Sequence, residues 1–176
     1  MVNSSSFLRG TLRRFVQIVL AFCLVCLSGV AHAANNCPWL TEATASGLIG
    51  ADAGGSYTAA AGAQPAVCIF TQKSEGMART LTIAVERAQD PHARMTAIAQ
   101  ACGNAAAPLN AIGNEAVHCA ADLRRGELGE RAVGRVRDQI FTITLNSNLK
   151  DDPILTRDSL KSRIYTAAEQ VAGNLF

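Results

Sequence analysis

Between residues 81 and 85 the chain alternates Leu-Thr-Ile-Ala-Val, and between 141 and 145 it alternates Phe-Thr-Ile-Thr-Leu. Period two of this kind predicts half-buried strands with one wet face. Each strand runs into an Asp-Pro pair, Asp90-Pro91 and Asp152-Pro153. Aspartate accepts hydrogen bonds from free helix N–H groups and proline suits a first helical residue, so both pairs read as helix starts. Behind the first, Met95, Ile98, Ala99 and Cys102 recur at helical spacing. Behind the second, Leu160, Ile164, Ala167, Ala168 and Val171 do the same up to about Ala172, where Gly173-Asn174 reads as a stop.

The remaining pattern is weaker. Thr41 followed by Glu42 predicts a short helix to about Ile49, ended by Gly50. Val67 to Gln72 and Glu115 to Ala121 alternate as strands. Arg131 to Arg137 and Gln139 to Leu145 predict a hairpin about Arg137-Asp138. Residues 51–64, rich in Gly and Ala, read as a loop that is either functional or disordered, and 105–113 as a second loop. The expected order is α-β-β-α-β-β-β-α, an α+β fold with helices packed on an antiparallel sheet of about five strands.

The first 33 residues change this picture. Arg9, Arg13 and Arg14 precede an apolar run of about 16 residues from Phe15 to Val30, and Ala31-His32-Ala33 follows. That is the layout of a cleavable signal peptide, and the run is short of the ~20 residues that span a bilayer. An uncleaved anchor is the alternative. Neither Cys23 nor Cys26 follows the small residue expected of a lipidation site. Export without a membrane span after cleavage is therefore expected, to the periplasm or the exterior, with one domain over 34–176. Without its first 33 residues the chain has thirteen basic and fourteen acidic residues, a net −1. Such a balance, with few aromatics and a secreted location, argues against nucleic acid as a partner.

Four cysteines remain, Cys37, Cys68, Cys102 and Cys119. In an exported chain an even number predicts two disulfides, and four cysteines allow three pairings. The most local choice joins Cys37 to Cys68 and Cys102 to Cys119. No Cys-x-x-Cys is present to suggest zinc or thiol exchange.

Ile112-Gly113-Asn114-Glu115-Ala116-Val117 with the strand behind it, Val136-Arg137-Asp138-Gln139-Ile140, the opening Cys-Pro-Trp-Leu-Thr and the later Cys68-x-Phe70 strand make up a set. Together they resemble small exported bacterial domains of unknown function, among them actinobacterial envelope lipoproteins and the extracellular sensor domains of some serine/threonine kinases. The resemblance implies an α+β module, often with two disulfides, that senses a ligand or belongs to the envelope. This chain lacks the lipoproteins' lipidation cysteine and the sensors' kinase and membrane span.

Candidate chemistry is sparse. Arg131, Arg135 and Arg137 share one strand face by period two, with Arg124 and Arg125 just before. Such a stripe could grip carboxylates or phosphates of an envelope ligand, since guanidinium forks bind them bidentately. Interleaved acids make a salt-bridged, solvated face the ordinary reading. His118 shares a strand face with Ala116 and Ala120. It is either a half-buried sheet histidine or a ligand-facing, pH-sensing one. His92 reads as a surface residue in a first helical turn. No metal site and no cofactor are expected, and no Gly-x-Ser-x-Gly elbow is present. Glu115 with Glu127 or Glu130 is the one carboxylate pair that a glycosidase reading could use. The expectation is a non-enzymatic, disulfide-stabilised module that binds an envelope ligand or protein. The alternatives are a small secreted hydrolase using His118 and a structural subunit of an envelope complex.

Overall fold

The computed structural model describes residues 36–176; the signal segment read from the sequence lies outside the described residues. Seven strands form one antiparallel sheet: β1 Gly54–Thr58, β2 Ala66–Ser74, β3 Met77–Arg87, β4 Ala107–Pro108, β5 Glu115–Ala120, β6 Leu128–Val136 and β7 Gln139–Ser147. Their order across the sheet is β1-β2-β3-β7-β6-β5-β4. Among the described residues three α-helices accompany them, α1 Glu42–Ile49, α2 Pro91–Ala99 and α3 Arg157–Leu175, and a 3₁₀ turn at Gln100–Ala105 follows α2.

The two alternating strands of the sequence lie side by side at the centre. Leu81 pairs with Leu145, Ile83 with Ile143 and Val85 with Phe141, all on one face. Helices α1 and α3 cover that face. Ile49 from α1 and Ile164, Ala167, Ala168 and Val171 from α3 join Phe70, Leu81, Ile83, Ile143 and Leu145 in the main core. Full burial of each large aliphatic contributes roughly 1.5–3 kcal/mol. The opposite face carries a smaller cluster, in which Met95 of α2 packs on Val133 and Ile140.

The α+β class stands, but the sheet has seven strands rather than about five, and the order is α-β-β-β-α-β-β-β-β-α. Both added strands lie in segments read as loops, and both are sheet edges. β1 falls within 51–64 and owes its conformation to pairing with β2, because two glycines give it little strand preference of its own. Gly55 is needed there, since a Cβ would meet the Phe70 ring at 2.8 Å. β4 is two residues paired with His118 and Val117.

The helix ends differ too. Asp90 does cap α2, accepting from the Ala93 N–H at 3.0 Å. Asp152 does not cap α3; that helix starts at Arg157, where Thr156 accepts from the Ser159 N–H at 3.2 Å. It also continues through Gly173-Asn174 to Leu175. Helix α2 stops at Ala99, which places Cys102 in the 3₁₀ turn. The bridges are Cys37–Cys68 and Cys102–Cys119. The first ties the segment before α1 to β2, and the second ties the 3₁₀ turn to β5.

Candidate ligand-binding cleft

Antiparallel pairing sets His118 of β5 opposite Ala132, and Glu130 of β6 opposite Ala120. The two polar residues are therefore diagonal neighbours on the face that α3 covers. His118 Nδ1 lies 2.7 Å from Glu130 Oε1. Their side chains are only 19% and 9% exposed, so the contact forms where water competes little. A carboxylate has no hydrogen to give, so Nδ1 carries the proton of this bond. Nε2 then has no protein partner among the described residues.

A cavity of about 320 Å³ opens beside the pair. Ala105, Ala107 and Ala120 leave the space because their side chains end at Cβ, and Leu128 and Leu160 add apolar wall. Arg157 and Lys161, one turn apart on α3, line the same cavity. Both are exposed, and neither makes an ion pair among the described residues. Arg157 sits in the first turn of α3, where the helix dipole disfavours a cation by roughly 0.3–1 kcal/mol. Two unpaired cations thus face a histidine–carboxylate pair across a small, mostly apolar space.

The arginines singled out from the sequence are not brought together. Arg131 and Arg135 lie on the other face of β6, the one that α2 packs against. Arg131 sits opposite Cys119, and its Nε is buried without a hydrogen-bond partner. Arg135 Nε donates to Glu115 at 2.6 Å, and His92 Nδ1 lies 2.9 Å from the same carboxylate oxygen. Burial pushes the Glu115 carboxyl up, but the bonds to His92 and Arg135 more than offset this and hold it below its ordinary value. Arg137 is in the β6–β7 turn with φ 55°, its guanidinium 5.8 Å from the Phe176 ring centre. Arg124 and Arg125 are exposed in the β5–β6 connection. Glu115 and Glu130 fall on opposite faces, so they form no carboxylate pair.

Chemically, the cleft offers two fixed cations, one imidazole nitrogen and a carboxylate that orients it. Among the described residues lining it there is no serine, threonine or free thiol, since Cys119 is bridged. The lining described there therefore supplies no hydroxyl or thiol nucleophile. Among the described residues no group of three or more His, Cys, Asp or Glu side chains is placed to hold a metal ion. Nor is any described helix long and apolar enough to cross a membrane.

The sequence named His118 but not its partners. Glu130 becomes visible only with the β5–β6 register, and Arg157 and Lys161 only once α3, which starts at Arg157, is packed beside that edge. Compared with protein families, curated proteins and solved structures, the chain matches none.

Proposed function

We propose that this chain is an exported, non-enzymatic, disulfide-stabilised module that binds a small anionic ligand of the cell envelope in the cleft between α3 and the β4–β5–β6 edge. The observation that carries the reading is the placement of Arg157 and Lys161, without ion-pair partners, over the His118–Glu130 pair. A cation held against the helix dipole, as Arg157 is in the first turn of α3, breaks a local rule of helix design, and such violations concentrate at functional sites. The signal-like first 33 residues and the two bridges support export.

Calorimetric titration of the protein with acetate and with inorganic phosphate tests the reading. Each charge-assisted hydrogen bond contributes about 1.5–3 kcal/mol, so Arg157→Ala with Lys161→Ala is expected to weaken binding by at least about tenfold. Arg131→Ala with Arg135→Ala is expected to leave binding unchanged. Equal binding by the wild type and the Arg157/Lys161 variant removes the cleft as the site.

A hydrolase reading keeps one favourable observation, the Glu130 carboxylate that orients His118 as in a general base. It predicts turnover of esters, peptides or glycans that is abolished by His118→Ala. Silence across such a panel leaves the binding reading alone.

A further inference from the structure

Resting on the cleft reading, we infer that the ligand is a small carboxylic acid that also carries a hydrogen-bond donor beside its carboxylate, as in a hydroxy acid or an amino acid. The inference comes from the hydrogen count at the floor of the cleft. Glu130 Oε1, 2.7 Å from His118 Nδ1, fixes the proton on Nδ1, and a neutral imidazole held this way offers Nε2 as an acceptor. The floor therefore presents a lone pair with a carboxylate behind it, while the α3 wall presents the donors of Arg157 and Lys161.

An ion made only of acceptor oxygens satisfies the wall and is repelled by the floor. Sulfate and a plain fatty acid are of this kind. A carboxylate with an adjacent hydroxyl or ammonium satisfies both sides, with its anion on the cations and its donor on Nε2. Discrimination of this sort comes as much from the unfavourable pairing of the wrong ligand as from the contacts of the right one. The apolar remainder, Ala105, Ala107, Ala120 and Leu160, leaves room for a short aliphatic side chain within the 320 Å³.

The test is titration calorimetry at pH 8, well above the range in which an imidazole ordinarily charges, with propionate, lactate and L-alanine. Lactate or alanine is expected to bind about tenfold more tightly than propionate, the worth of one added hydrogen bond. Whichever of the two is tighter identifies hydroxyl or ammonium as the donor. Glu130→Gln, whose carboxamide no longer fixes the proton on Nδ1, is expected to reduce the preference to about twofold or less. His118→Leu serves the same purpose if Glu130→Gln does not fold. If propionate, lactate and alanine bind equally, yet Arg157→Ala with Lys161→Ala weakens all three, the donor inference is overturned and the anion cleft stands. If the cations make no difference to any ligand, both fall together.

Discussion

Arg79 and Asp152, 73 positions apart, form a bidentate ion pair in the protein interior. Arg79 Nε donates to Asp152 Oδ2 at 2.7 Å and Nη2 donates to Oδ1 at 2.8 Å. The side chains are 1% and 0% exposed. Ser147 donates to the same carboxylate at 2.7 Å, and the Ile154 and Leu155 N–H groups donate at 2.8 and 2.9 Å. This one carboxylate thus ties β3, the end of β7 and the segment that leads into α3, and so sets where Arg157 enters the cleft.

Removing one partner leaves the other as an uncompensated buried charge, which costs about 3–5 kcal/mol. Asp152→Ala is expected to lower unfolding stability by that amount in denaturant titration. The double variant Arg79→Met with Asp152→Leu is expected to lose less than Asp152→Ala alone, because no buried charge remains.

Acid should act through the same group. Burial pushes the Asp152 carboxyl up, but Arg79, the Leu155 and Ile154 amides and Ser147 outweigh it and hold the carboxyl well below the usual range. Glu115 is also lowered. A carboxyl whose folded value lies below its unfolded one takes up protons first in the unfolded chain. Its stabilisation is complete above the ordinary carboxylate range near 4 and is lost as pH falls through the folded value. The thermal midpoint is therefore expected to be flat from pH 7 to 5 and to fall steadily from about pH 4 to 2. Asp152→Asn is expected to start lower and to fall less over that interval.

The two Asp-Pro pairs show how far local sequence reaches. Asp90-Pro91 is a helix start because nothing distant competes for Asp90. Asp152-Pro153 has the same local form, but a buried guanidinium 73 residues away claims the carboxylate. The central strands and the helical faces were legible because periodicity is local. β1 and β4 were not, because Gly-Gly-Ser-Tyr-Thr and Ala-Pro become strands only through the neighbours they pair with.

The Ile112-Gly113-Asn114 motif has a packing role that can be tested separately. Gly113 has φ 58°, and a Cβ there would run into the Arg135 carbonyl oxygen. The Asn114 N–H donates to that carbonyl at 2.8 Å, and Asn114 Oδ1 accepts from the Arg137 N–H at 2.7 Å. Gly113→Ala combines a left-handed backbone with a backbone clash and is expected to cost about 1–3 kcal/mol in denaturant midpoint analysis.

The bridges close sequence separations of 31 and 17 residues. On the chain-entropy model each stabilises by roughly 3–4 kcal/mol. Cys37→Ala with Cys68→Ala is expected to lose that stability while leaving cleft binding intact. Cys102→Ala with Cys119→Ala is expected to lose a similar amount and also to weaken binding, since Cys119 and the 3₁₀ turn border the cavity. Calorimetric unfolding and ligand titration of the two variants separate these outcomes.

The arginine stripe was legible as a period but not as a site. Arg131 and Arg135 do share a face; Glu115 on the neighbouring strand neutralises one, and the turn removes Arg137 from the row. The cleft instead draws on β5, β6 and α3, a set that only tertiary register assembles.

The most direct test maps backbone and imidazole NMR shifts of the protein during titration with acetate and lactate. Binding in the cleft predicts shifts concentrated at Ala105, Ala107, His118, Glu130, Arg157 and Lys161, with the largest change at the His118 ring. Shifts centred on Arg131, Arg135 and Glu115 across the sheet, or none at His118 at saturating ligand, would contradict the account.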